Sequence, residues 1–216
     1  TFRGKLIPFH GFGIIPTFKF IGGKWIPSNQ MPFPSMIGCQ RNVEKKIAFL
    51  GDSITEGLGT APNTYTHWCA RIADMLGDEN SYWNLGLGCG RAKDAATDGI
   101  WLYKARQNDI VFVCFGVNDI LKGSSEQELK DNLKFIVEEL KKCNIKVILQ
   151  TVPPFGYDDE KTEIWNNVNN YILKDLSKCC DYVFDNTDIL GDQEKGKQFA
   201  KNGGHLEWDD ARPLFM

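Results

Sequence analysis

Ile110-Val111-Phe112-Val113-Cys114-Phe115 runs six apolar residues without a polar break. A strand with one wet face alternates apolar and polar side chains, and this one does not. It therefore reads as a strand covered on both faces, as the parallel sheets of α/β domains require. Working outward from it, strands are predicted at 46–50, 81–85, 109–115, 146–151 and 181–184. The gaps between them carry helical periodicity. Trp68, Ile72, Met75 and Leu76 form one stripe, ended by Gly77. Leu129, Leu133, Ile136, Val137 and Leu140 form a second, and Ile164, Val168, Tyr171 and Ile172 a third. Ser125 and Glu128 have capping-box spacing before the second stripe, and Lys141-Lys142 suit its C-terminal dipole. Strands and helices in alternation imply right-handed crossovers and a three-layer α/β/α sandwich around one five-stranded parallel sheet. In such sheets ligands bind at the carboxyl ends of the strands.

Residues 1–42 differ from this pattern. They hold five of the nine prolines and six of the fourteen phenylalanines, too aromatic for a solvated linker and too rich in proline for a helix. Residues 17–21 and 24–26, joined by Gly22-Gly23, read as a β-hairpin with a two-residue turn, and 27–34 as an extended connector. Two units are expected. Residues 1–42 form a β-rich strap on the main domain or the remnant of a preceding β module, and residues 43–216 form the α/β domain.

With 216 residues the chain is long enough for one sizeable domain and a small appendage. No apolar run approaches the ~18 residues of a membrane span. A formal net charge of −3 without a long basic block argues against nucleic acid as the partner. Seven cysteines, an odd number without a Cys-x-x-Cys pair, read as reduced structural thiols and favour a reducing compartment, the cytoplasm. Thr1-Phe2-Arg3 has neither an initiator Met nor a signal peptide and reads as a cut or processed end, so it says nothing of export. There is no P-loop, no full dinucleotide fingerprint and no metal-ligand spacing, so neither cofactor nor metal is expected. The oligomeric state is not set by the sequence.

The chemistry starts at Gly51-Asp52-Ser53, which follows the apolar run Ile47-Ala48-Phe49-Leu50. A hydroxyl is thereby placed just past a buried strand, at the start of a helix or turn. A serine there can attack a carbonyl while its own N–H helps to hold the oxyanion. For the tripeptide alone, an N-cap in a tight turn is the plainer reading. Further signals come in order after it. Asn84-Leu85-Gly86-Leu87-Gly88-Cys89-Gly90-Arg91 follows the second strand, Gly116-Val117-Asn118-Asp119 the third, and Gly203-Gly204-His205 lies near the C-terminus. His205 is the best of three histidines for a general base. The N–H groups of Ser53 and of the Gly88-Cys89 turn, with the Asn118 amide, would supply three oxyanion donors. His67 and His10 read as structural or exposed, Asp52 and Asp119 as partners of loop backbone, Trp165 and Trp208 as packing, and residues 151–155 as a pocket wall.

In these blocks the sequence resembles the SGNH hydrolases, the GDSL-type esterases. The resemblance spans residues 46–205 and rests on Gly51-Asp52-Ser53-Ile54-Thr55, Asn84-Leu85-Gly86-Leu87-Gly88, Gly116-Val117-Asn118-Asp119 and Gly204-His205. It implies a flavodoxin-like sheet and ester hydrolysis through an acyl-enzyme. Ser53 would be the nucleophile and His205 the base, with Ser53, the glycine-turn residue and Asn118 as the oxyanion hole. Aligned without gaps from Asn84 the turn donor is Cys89; a one-residue slip makes it Gly88. The favoured substrate is a small-molecule or carbohydrate ester, with O-deacetylation of an acetylated carbohydrate as the reaction. A lipase or thioesterase on longer chains and a weakened carbohydrate-binding domain are the alternatives. Two departures stand out. Asn202 occupies the place where the family has Asp, three residues before the His. An amide can orient an imidazole but cannot stabilise its charge. Asn202, Asp185, Asp188, Asp209, Asp210 and a backbone carbonyl are the candidates for the orienting group. Leu206 rather than Pro follows His205, and only eleven residues come after that histidine, so the tail reads as shortened or rebuilt.

Overall fold

The chain divides into two units, Thr1–Asn42 and Val43–Met216. The computed structural model describes residues 6–8, 17–28, 30–32, 41–60 and 66–191. The first unit carries strands β1 (Leu6–Pro8), β2 (Thr17–Ile21), β3 (Lys24–Ser28) and β4 (Gln30–Pro32). Strands β2 and β3 form the expected hairpin, and β1 pairs with β4, both antiparallel. Gly22 and Gly23 sit at φ +57° and +80°. Two positive φ values in a two-residue turn match the right-handed twist of the flanking strands, and glycine adopts them without strain. Phe20 and Trp25 meet across the hairpin with ring centroids 5.0 Å apart. The expected connector is partly strand instead. Pro27 lies in β3 opposite Phe18, and Gln30 to Pro32 pair with Leu6 to Pro8. A two-stranded ribbon accepts proline because each strand has an edge that needs no N–H.

The second unit follows the alternation in the sequence: β5 (Lys46–Gly51), α1 (Ser53–Glu56), α2 (Trp68–Leu76), β6 (Ser81–Gly86), α3 (Ala92–Ala95), α4 (Ile100–Ala105), β7 (Ile110–Cys114), α5 (Val117–Leu121), α6 (Glu126–Lys142), β8 (Lys146–Gln150), α7 (Asp159–Lys174), β9 (Tyr182–Phe184) and α8 (Thr187–Leu190). Each sheet strand lies within one residue of its expected ends. The sheet is parallel throughout, in the order β6-β5-β7-β8-β9. This is the flavodoxin-like order. The chain winds one way from β5 to β6, then returns past β5 to β7, and the reversal opens a crevice above the carboxyl ends of β5 and β7.

Both faces of the sheet are packed, but unequally. Ala48, Leu50, Val111, Val113, Val147 and Leu149 are fully buried in one cluster with α6 and α7. On the other face Ile47 and Phe49 pack on Trp68 and Cys69 of α2, with Phe112 stacked 4.9 Å from Phe49. There Ile110, Phe112 and Cys114 are only half-buried, so the central strand is sealed on one face and less completely covered on the other. The stripe of α6 is buried throughout. Its capping box is half formed. Ser125 Oγ accepts the Glu128 N–H at 3.1 Å, but the Glu128 carboxylate turns to Lys93 Nζ at 3.3 Å. In α2 the expected stripe ends early, since Met75 is 74 % exposed. Trp165 is buried and donates to the Val152 carbonyl at 2.7 Å, so it packs. Among the described residues Cys69, Cys89, Cys114, Cys143, Cys179 and Cys180 are free thiols, and no helix is long and apolar enough to cross a membrane.

Candidate active site

Strand β5 delivers Ser53 to the crevice. Asp52, extended at φ −94°, caps α1 by accepting the Ile54 N–H on Oδ1 at 2.9 Å, and Ser53 opens the helix, 7 % exposed. The helix is pinned from two sides. Trp68 Nε1 donates to the Ile54 carbonyl at 3.1 Å, and Asn84 Nδ2 donates to the Thr55 carbonyl at 2.8 Å. Gly86, at the end of β6, lies so close that a Cβ there would stand 2.1 Å from the Glu56 nitrogen.

The loops after β5, β6 and β7 converge on one side chain. Asn118 Nδ2, on α5, donates to the Gly90 carbonyl at 3.1 Å and approaches Asp52 Oδ2 at 3.5 Å. The Ser53 loop, the glycine turn and the Asn118 helix are thus joined through one amide. The turn itself is closed by Gly90 N–H donating to the Leu87 carbonyl at 2.9 Å, and it is tied to β5 by Leu87 N–H donating to the Gly51 carbonyl at 3.0 Å. Cys89 takes a left-handed φ of +61°, and Lys122 Nζ grips its carbonyl at 2.9 Å. The Gly90 N–H is spent within the turn and the Leu87 N–H on β5. Among the described residues those of Gly88 and Cys89 are bonded to nothing, so both expected donors remain available.

Two carboxyl groups lie buried beneath these loops. Asp119 accepts the Ala92 N–H on Oδ2 at 2.9 Å, and burial raises its pKa. Its Oδ1 has no hydrogen-bond partner among the described residues. The Asp52 carboxyl is pushed up to about 7, chiefly by burial; the charge of Asp119 adds to this, and the Ile54 N–H opposes it. An unfolded Asp titrates near 3.9, so between that value and 7 folding takes up a proton. The stabilising contribution of Asp52 is therefore full below about pH 4 and is lost as pH rises through about 7. Asp52→Asn removes this titration and keeps a capping oxygen. It is expected to raise the unfolding free energy at pH 8 by about 1–2 kcal/mol and to change it less at pH 5. Thermal unfolding at the two pH values checks the difference.

A cavity of about 20 Å³ opens among the ends of β5, β7 and β8. Asp52 and Ile54, on either side of Ser53, line it with Cys114, Val117, Thr151 and Pro153. It is large enough for a group the size of a water molecule. Of the expected wall, Thr151 and Pro153 line this cavity, whereas Val152 is wholly buried. Asp185 Oδ1 receives Thr151 Oγ1 at 3.1 Å, Thr187 N–H at 3.0 Å and Thr187 Oγ1 at 2.7 Å, and Asp188 lies in α8. His67 stands at the N-cap position of α2 without a side-chain capping bond, and burial lowers its pKa. His205, Asn202, Asp209, Asp210, Trp208 and His10 lie outside the described residues. The link from Asp52 to Asn118 was missed by sequence reasoning. The two are 66 positions apart, and no local pattern joins them.

A model of the GDSL-like lipase/acylhydrolase family matches residues 49–210. No curated protein matches the sequence. Among solved structures, a putative lipolytic protein of the G-D-S-L family from Desulfitobacterium hafniense superposes with a TM-score of 0.65 at 19% identity, covering 79% of this chain and 95% of its own. A member of the lipolytic G-D-S-L family from Veillonella parvula gives 0.63 at 20% identity, covering 79% and 93%. An acetyl xylan esterase, AlAXEase, gives 0.60 at 23% identity, covering 79% and 96%. These structures share the fold of the second unit.

Proposed function

The chain belongs to the GDSL-like lipase/acylhydrolase family and is a carboxylic ester hydrolase, and we propose that it is a metal-independent serine esterase that removes short acyl groups, acetyl above all, from acylated carbohydrate. His205 takes the proton of Ser53 Oγ as that oxygen adds to the ester carbonyl. The N–H groups of Ser53 and of Gly88 or Cys89, with the Asn118 amide, hold the oxyanion. The alcohol leaves with a proton from His205, and water activated by the same base then frees the acid from Ser53. Asn202 orients His205. The observation that carries the reading is the single network joining the Ser53 loop, the glycine turn and Asn118 at the switch point of the sheet. The family match runs to residue 210 and so includes both Asn202 and His205.

The acetyl xylan esterase of like fold suggests the class of alcohol to test. The free thiols suit a reducing compartment. In a series of p-nitrophenyl esters the acetate is expected to be cleaved with the highest kcat/KM, at least about tenfold above the octanoate, since a pocket discriminates by roughly 1–3 kcal/mol per methylene. Acetate release from acetylated xylo-oligosaccharides is expected alongside. A preference for octanoate would make the protein a lipase or thioesterase, and p-nitrophenyl acetate turnover without release from the oligosaccharides would remove the carbohydrate.

A further inference from the structure

The Asp52 carboxylate makes two contacts at once. Its Oδ1 accepts the Ile54 N–H at 2.9 Å and so caps the helix that presents Ser53, while its Oδ2 lies 3.5 Å from Asn118 Nδ2. The same amide donates to the Gly90 carbonyl at 3.1 Å. A primary amide has two N–H groups in one plane, so two acceptors fix both where it sits and how it is turned. The shorter bond to Gly90 anchors the group. The longer one to Asp52 is the weaker of the two.

We propose that Asp52 is a positioning residue for ester hydrolysis: its ionised carboxylate aims the Asn118 amide at the oxyanion, and protonation of Asp52 releases that aim. This inference rests on the oxyanion role proposed above for Asn118. The physical reason is the acceptor count. An ionised carboxylate only accepts, whereas a carboxylic acid carries an O–H that meets the donors of Ile54 or Asn118. The titratable groups around Asp52 are Asp119 on α5, the Tyr157 phenol after β8 and the Cys114 thiol at the end of β7, with Arg91 acting on Asp119. Burial holds the Asp52 proton in play at about pH 7.

The test is the pH profile of kcat and kcat/KM for p-nitrophenyl acetate, measured on the full chain as wild type, Asp52→Asn, Asp119→Asn and Ser53→Ala. In the wild type both the base and Asp52 must be ionised or neutral as required, so the acid limb of log kcat/KM approaches a slope of 2. Asp52→Asn presents an NH₂ to the Asn118 amide. It is expected to lose about 10- to 100-fold in kcat with KM within about threefold, and its acid limb falls to a slope of 1. Asp119→Asn removes a like charge and is expected to move one acid inflection to lower pH. Wild-type kcat in Asp52→Asn, or an acid slope that this substitution leaves unchanged, would overturn the proposal. If Asp52→Asn fails to fold, a wild-type slope of 1 that Asp119→Asn does not move overturns it equally. Turnover retained in Ser53→Ala would instead sink the catalytic reading itself, whatever the behaviour of Asp52.

Discussion

Ser53→Ala is expected to abolish hydrolysis of p-nitrophenyl acetate, with kcat reduced by about 10⁴–10⁶-fold, while the protein stays folded. The size of the loss follows from the mechanism. Without Oγ no acyl-enzyme forms, and the oxyanion donors alone supply only the residual rate enhancement that remains when a nucleophile is deleted. The stability should change by no more than about 1 kcal/mol, because the helix that Ser53 opens is capped by Asp52 and held by Trp68 and Asn84, contacts that the substitution leaves in place. Steady-state turnover and a thermal melt of the same preparation separate the two effects. More than about 1% of wild-type activity in a folded variant would show that another group carries out the attack.

Gly86→Ala should give the largest stability effect away from the nucleophile. The added Cβ would stand 2.1 Å from the Glu56 nitrogen and 2.6 Å from its Cα, and both are backbone atoms that no rotamer change can move aside. Either α1 shifts away from β6 or the end of β6 bends. The first breaks the Asn84 bond to the Thr55 carbonyl, and the second disturbs the turn that holds Gly88 and Cys89. A loss of about 3 kcal/mol or more is expected, which for a domain of this size is a fall in Tm of roughly 6–12 °C. The surviving folded protein should also lose at least about tenfold in kcat, since a displacement of about 1 Å at the nucleophile is costly. Urea unfolding monitored by tryptophan fluorescence, together with kcat/KM, checks both. A variant as stable and active as the wild type would mean that α1 is not packed against β6 as described.

The strands were legible because burial on both faces leaves a mark that is local. The run from Ile110 to Phe115 has no polar break, and its neighbours repeat the signal at the spacing of a crossover. The hairpin was legible for the same reason, since Gly22-Gly23 announces a turn that only positive φ values satisfy. Where side chains choose among distant partners the reading was weaker. Glu128 has capping-box spacing, yet it turns to Lys93 because a long flexible carboxylate gains more from a cation than from a backbone N–H. Met75 continues a helical stripe, yet it stays exposed in the last turn of α2, whose buried contacts come from Trp68 and Cys69 at its start.

For the site, the residue types and their order along the chain were set by the sequence. Ser53, the glycine turn and Asn118 each follow a strand, and parallel strands bring their carboxyl ends to one edge. The fold class and the family follow from those local patterns. The tertiary structure alone decided how the pieces address one another: that Asp52 and Gly90 share the Asn118 amide, and that Asp52 and Asp119 are buried together so that one of them titrates near neutrality. Burial and like charge depend on what surrounds a group in space. Positions 52, 90 and 118 become neighbours only when β7 pairs with β5 on the side opposite β6, and no local pattern in the chain states that order.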